Sequence, residues 1–215
     1  FTFVLHLNII VARKEAAEMR QFDELDQLMK KHEGMIQTAQ VIAAGFSKPV
    51  FYAYAKERRL EQAAHGVYVS EDAWLDEMFL IHLRCGQAVF SHNTALFFHD
   101  LTDREPSSYS ITVKRGYNPS RLKADGICVY TVKEDLYNVG LAAALTPFGH
   151  TVPAYDMERT ICDVLRYRNK MEMQTFQDAL KQYARRRDKN LRTLMQYAAL
   201  FRVEKVLRQY LKILL

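Results

Sequence analysis

The sequence predicts a helix-rich α+β fold on three observations: 49% of its 215 residues are hydrophobic, only 8 are Gly and 5 Pro, and apolar positions recur mostly at helical spacing. The first provides a core for one or two domains and excludes a disordered chain. The scarcity of chain breakers excludes a fibrous or low-complexity polymer and disfavours a many-turned β sandwich. The chain divides into an N-terminal module over 21–70 and a C-terminal domain over 71–215, the latter mixed α/β to 150 and helical from 151. Residues 1–20 stand apart. Their apolar run, Phe1 to Ala12, is interrupted by His6 and Asn8 and is about half the length that crosses a bilayer. It lacks a basic start and a small-residue cleavage site, so it is not read as a signal peptide. Met19 precedes a well-formed helix, and the stretch before it reads as a leader or upstream-translated segment, excluded from fold reasoning.

Phe22, Leu25, Leu28 and Met29 form an apolar stripe that predicts a helix over 21–33, which Gly34 stops. Met35-Ile36-Gln37 reads as extended, Thr38 as the cap of a second helix with Val41 and Ile42 inward, and Gly45 as its end. Ser47-Lys48-Pro49 then starts a third helix to about Arg58, with Ser47 supplying the cap oxygen and Pro49 in the first turn, where no intrahelical N–H is needed. Leu60 to Ala64 and Val67-Tyr68-Val69 flank a His65-Gly66 turn, the signal of a β hairpin. Helix, helix, short turn, helix, hairpin is the order of a winged helix-turn-helix.

Beyond residue 71 the pattern predicts a helix with Trp74, Met78, Ile81 and His82 on one stripe, a helix from Ser91 to Asp100, and strands Tyr109 to Val113 and Ile127 to Val132. A helical stretch from Asp135 to Leu145 follows, closed by Pro147 and Gly149. Asp156 caps a helix to Tyr167 with Ile161, Val164 and Leu165 inward. Phe176, Leu180 and Tyr183 mark another, and Leu194, Met195, Ala198, Val203, Val206, Leu207, Tyr210 and Leu211 make the C-terminus a helical hairpin or bundle.

Charge is unevenly spread. Residues 1–70, 71–165 and 166–215 carry net charges of +1, −5 and +9. A basic terminal third attracts polyanions such as phosphate backbones or an acidic partner, although an Arg-rich solvated helix face gives the same count. The third helix is more specific. Lys48, Tyr52, Lys56 and Arg59 are spaced four, four and three apart, along one face, with Arg58 beside them, while Phe51 and Ala55 fall on the neighbouring face. An isolated stripe of this kind is ordinarily a solvated surface. Followed by a hairpin, it is the groove-reading helix of a DNA-binding module, with Ser47 and the helix N-terminus suited to phosphate and His65 at the wing tip.

Catalytic chemistry is weakly represented. Ser91-His92 and His99-Asp100 lie two turns apart on one helix, too far for a nucleophile–base pair between them. Ser91 is read as a cap and the histidines as packed or exposed. Asp125, Glu134 and Asp156 show no metal-binding spacing with Lys114, and Asp156-x-Glu158-Arg159-Thr160-x-x-Asp163 is what a helix macrodipole favours at its start. Neither a cofactor nor a metal is expected. Cys85, Cys128 and Cys162 form neither a disulfide framework nor a thiolate zinc site, which points to a reducing cytoplasm.

Gly66-Val67-Tyr68-Val69-Ser70 at the end of the winged module, Ser91-His92-Asn93-Thr94-Ala95-Leu96, and Tyr155-Asp156-Met157-Glu158-Arg159-Thr160-Ile161-Cys162-Asp163 together resemble the AbiEi antitoxins of bacterial type IV toxin–antitoxin systems, from about Met19 to the C-terminus. The resemblance implies a non-enzymatic, cytoplasmic protein of phage defence by abortive infection. Its winged module would bind inverted repeats in its own promoter, and its C-terminal domain would neutralise a nucleotidyltransferase-like toxin without a stable complex. Arg185, Arg186, Arg187, Lys189 and Arg192 would hold flanking phosphates on the same duplex. Two rivals are a ligand-responsive winged-helix regulator with no toxin partner and a nucleic-acid-processing enzyme targeted by the winged module.

Overall fold

The computed structural model describes residues 19–214, an α+β chain in two compact units that divide between Arg84 and Cys85. The expected leader lies outside these residues up to 18. Among the described residues no helix is long and apolar enough to cross a membrane.

In the first unit, residues 19–31 form helix α1, followed by β1 (Met35–Gln37), α2 (Thr38–Ala43), α3 (Lys48–Glu57), β2 (Glu61–Ala64) and β3 (Val67–Val69). Leu25 and Met29 of α1, Val41 of α2, and Phe51 and Tyr54 of α3 close one apolar core with Ile36. The strands form an antiparallel sheet in the order β1-β3-β2. The element order expected from sequence is therefore present, with two local corrections. Gln37, not Thr38, is the N-cap of α2, in a reciprocal capping box with Gln40, while the Thr38 hydroxyl donates to Gly66 O at 3.3 Å. Val41 is buried but Ile42 is 43% exposed, because a helix of two turns has only one inward stripe. Helix α4 (Glu77–Arg84) also belongs here, so the division lies later than the expected 70/71: Gln37 Nε2 donates to Leu83 O at 2.6 Å, and Phe79, Leu80 and Leu83 pack on the Met35, Val67, Val69 cluster. Trp74, expected on that helix stripe, precedes the helix and is 81% exposed.

The second unit runs β4 (Val89–Phe90), α5 (His92–Phe98), β5 (Ser110–Lys114), α6 (Ser120–Ala124), β6 (Cys128–Val132), α7 (Glu134–Tyr137), β7 (Leu141–Leu145), β8 (Thr151–Tyr155), α8 (Met157–Tyr167), a 3-10 turn (Arg168–Lys170), α9 (Met173–Arg185), α10 (Leu191–Leu200) and α11 (Glu204–Leu214). Its sheet has the order β6-β5-β4-β8-β7, mixed parallel and antiparallel. The long helix expected over 135–145 is corrected: only Glu134–Tyr137 is helical, and Leu141–Leu145 is the edge strand of the sheet. Gly140, at φ +74, turns the chain between them, and a Cβ there would lie 2.5 Å from Arg159 Cβ. Alanine favours helix, but the antiparallel ladder with β8 decides otherwise.

Helix α8 is the axis of this unit. Every residue from Met157 to Leu165 is buried, including Glu158, Arg159, Thr160 and Asp163. Asp156 is the expected cap, its carboxylate accepting from Arg159 N at 2.7 Å. Glu158 ties two further helices to it, accepting from Tyr183 Oη of α9 at 3.2 Å and from Asn190 N at the start of α10 at 2.7 Å.

Candidate functional site

Helix α3 has two unlike faces. Phe51, Tyr54 and Ala55 are buried, and Tyr54 Oη donates to Asp26 on α1 at 2.8 Å. Lys48, Tyr52 and Lys56, four apart within the helix, are exposed on its outer side, and Arg59, also exposed, lies just past the helix end. Ser47 occupies the N-cap position with an exposed side chain that makes no cap hydrogen bond, a correction to its expected role. His65 is exposed at the hairpin turn, and the Tyr52 ring sits 6.4 Å from that of Tyr68 on β3, which links the helix face to the hairpin.

Arg58 behaves differently. Its Nε and Nη2 donate to the two carboxylate oxygens of Asp26 at 3.1 and 2.7 Å. Burial alone would raise the Asp26 carboxyl, but hydrogen bonds from Arg58 and Tyr54 outweigh it and hold the pKa below the ordinary value. The guanidinium thus clamps α3 to α1. Arg59, next along, is left-handed at φ +51, and the bonds Arg59 N to Lys56 O and Leu60 N to Ala55 O close the helix end behind it.

The basic cluster of the second unit lies at the α9–α10 connection. Arg185, Arg187 and Arg192 are exposed. Arg186 pairs bidentately with Asp188, both contacts at 2.8 Å, and Lys189 Nζ donates to Arg186 O at 2.9 Å. Among the described residues Arg186 is the one of the five cations with an ion pair, and it and Lys189 stiffen the loop that presents the other three.

A second constellation is one that sequence spacing did not reveal. Ser91 and His92 are buried at 0% and 2% exposure, and Ser91 Oγ lies 3.0 Å from His92 Nδ1. Thr112 Oγ1 donates to Ser91 Oγ at 2.8 Å, which leaves the Ser91 proton for Nδ1 and the imidazole proton on Nε2. Nε2 has no partner among the described residues, and His92 lines, with Arg159, Asp163 and Arg166, a space of about 10 Å³, at the lower limit for one water. The ring stacks on Tyr130 at 3.5 Å and meets Tyr167 edge-on. His92 adopts φ +50 at the start of α5, whereas Glu33, Arg59, Asp100 and Arg202 take that conformation just past helix ends. Ser91, expected to cap α5, makes no side-chain cap bond because its hydroxyl serves the imidazole. His99, just past the other end of that helix, reaches Tyr155 O at 2.7 Å.

This site sets a pH response. Burial first, then the charges of Arg159 and Arg166, drives the His92 imidazole down to about 3. An unfolded histidine takes its proton near pH ~6.5, so between that value and about 3 the unfolded state binds a proton that the folded state refuses, and stability falls as pH falls. Asp163 opposes this: burial raises its carboxyl to about 6, with Arg159 pulling it part of the way back. The folded state then takes up that proton before the unfolded chain does and gains stability as pH falls from about 6 toward the ordinary carboxylate range. The histidine displacement is the larger, so acid destabilises the site overall. His92→Asn keeps an acceptor for Ser91 and tolerates the left-handed backbone. Its melting temperature, followed from neutral pH down, should lose the acid slope; an unaltered slope would remove His92 from the response.

No protein-family model matches the chain, and no curated protein matches it. A crystal structure of the RV2827C protein from Mycobacterium tuberculosis is similar, with a TM-score of 0.55 at 14% identity over 81% of this chain and 69% of that one. That likeness concerns the fold alone.

Proposed function

We propose that the chain is a non-catalytic DNA-binding autorepressor and the antitoxin of a type IV toxin–antitoxin system, its first unit acting as a winged helix-turn-helix with α3 as the groove helix and β2–β3 as the wing. The observation that carries the DNA reading is the two-sidedness of α3: an aromatic face in the core and Lys48, Tyr52, Lys56 and Arg59 in solvent. A major groove admits one helix, whose exposed cations and hydroxyl meet phosphates and base edges. The antitoxin half rests on the sequence resemblance, with inverted-repeat promoter DNA and a nucleotidyltransferase-like toxin, not stably bound, as the partners.

The test is binding of the full chain to a labelled duplex from upstream of its own gene against a scrambled duplex, with growth and promoter activity scored separately on co-expression with the adjacent gene. Preference for the upstream duplex and rescue of growth support the two halves; equal binding of both duplexes overturns the regulator half. Replacing Arg185, Arg186, Arg187, Lys189 and Arg192 by Ala should weaken both duplexes alike and flatten the salt dependence, at about 0.9 in log–log slope per lost phosphate contact. Arg186 should contribute least, since Asp188 already holds it. An unchanged slope would take the cluster off the DNA.

A further inference from the structure

Among the described residues strand β7 is an unprotected edge. It closes one side of the second unit's sheet, and Leu141, Ala142, Ala143 and Leu145 are all exposed, with Leu141 at 45% and Leu145 at 66%. Edge strands are normally blunted by charge, proline or a bulge. This one has none: its sequence is Leu-Ala-Ala-Ala-Leu in unbroken register with β8. Phe148, in the turn that follows, adds a further exposed ring at 48%.

The backbone is oriented for a partner. Gly140 O accepts from Asp156 N and Thr146 N donates to His150 O, so alternation along the ladder turns Ala142 and Ala144 toward β8. The N–H and C=O of Ala143 and Leu145 then point away from the sheet. Leu141 N is occupied by Asn138 O, but the Leu141 carbonyl points the same outward way.

The strand reads the same in both directions about Ala143. An antiparallel copy related by a two-fold axis through Ala143 would set each Leu141 beside the other copy's Leu145 and Ala143 beside its own equivalent. A closed two-fold contact requires this kind of self-complementarity, in which one patch meets itself. An unrelated extended peptide would need no such symmetry. We infer that β7 is a homodimerisation seam, through which two copies of this chain join their sheets edge to edge. Four main-chain hydrogen bonds result, two between the paired Ala143 residues and one from each Leu145 N–H to the opposing Leu141 carbonyl, flanked by the paired leucines. The inference is independent of the DNA reading, since none of its residues belongs to the α3 face or the basic cluster.

Sedimentation velocity of the full chain across a dilution series tests it, and a concentration-dependent dimer is expected. Ala143→Pro removes the central outward N–H without touching the ladder to β8, a position at which edge strands accept proline. Leu145→Lys adds the missing charge. Each should abolish the dimer while leaving circular dichroism and melting temperature unchanged. Because either variant acts by disruption, a gain-of-contact variant completes the test. Directly hydrogen-bonded antiparallel partners have Cα atoms about 5.5 Å apart, within disulfide reach. Ala143→Cys in a Cys128→Ser background, which removes the one exposed native thiol among the described residues, should therefore oxidise to a covalent dimer. A monomer at every concentration, a dimer indifferent to Ala143→Pro and Leu145→Lys, or an Ala143→Cys chain that stays monomeric on oxidation would each overturn the seam.

Discussion

Arg159→Met should lower the stability of the C-terminal unit by about 3–5 kcal/mol, the loss expected when one member of a buried ion pair is removed. The arginine is 1% exposed, and three of the five N–H groups of its guanidinium are hydrogen-bonded. Nε donates to Asp163 Oδ2 at 3.0 Å, Nη1 donates to Leu136 O at 2.8 Å and Val139 O at 2.7 Å, and the group lies between the rings of Tyr155 and Phe201 at 4.0 and 3.9 Å. Methionine fills much of the volume but answers none of these acceptors. Asp163 is left buried without its partner, and the carbonyls of Leu136 in α7 and Val139 just beyond it lose their donor at roughly 1–3 kcal/mol each. Adding Asp163→Asn removes the unpartnered carboxyl and should recover part of the loss, whereas the carbonyls stay unpaired. Urea unfolding of the single and double variants measures both steps. A single variant within about 1 kcal/mol of the parent would mean that water reaches the site and that the pair is of the weak surface kind.

Asp156-Met157-Glu158-Arg159 shows where sequence patterning stops. The cap was legible, because an Asp before an apolar helix has one favoured use. The burial of Glu158, Arg159 and Asp163 was not, since a charged helix face reads as solvated unless the partners are known, and those partners come from α9, the start of α10, and Leu136 in α7 with Val139 just beyond it. Leu141–Leu145 was misread for the opposite reason: its local preference is helical, and only the ladder with β8 makes it a strand. Strand β8 itself was hidden by Pro153, tolerated because its missing N–H lies opposite Ala143 in a pair that makes no hydrogen bonds within the hairpin. The outer side of α3 was legible for Lys48, Tyr52 and Lys56, because Ser47, Lys48 and Pro49 fix where the helix starts and the period then fixes which side each later residue takes, whereas Arg59 lies past the helix end, where the period no longer applies. Spacing also placed Arg58 beside that face. It could not show that Asp26, thirty-two positions earlier, holds its guanidinium.

That difference between neighbouring arginines gives the decisive experiment on α3. Replacing Lys48, Lys56 and Arg59 together by Ala should reduce affinity for the upstream duplex on the order of a hundredfold near ~0.1 M salt and lower the log–log salt slope by about 3, because each lost phosphate contact no longer releases its counterion. All three side chains are exposed and none makes a hydrogen bond or ion pair among the described residues, so the melting temperature should barely move. Arg58→Ala should do the reverse: it frees Asp26 and loosens α1 from α3, lowering the melting temperature of the first unit with a smaller effect on the salt slope. Arg59→Gly separates the two effects at one position. Glycine relieves the left-handed backbone strain, on the order of 1 kcal/mol, and deletes the cation, so the variant should be at least as stable as the parent and bind duplex more weakly. If Arg59→Gly and the triple variant bound as the parent does, the outward face of α3 would be ordinary solvated surface, and the duplex would have to be sought on another part of the chain.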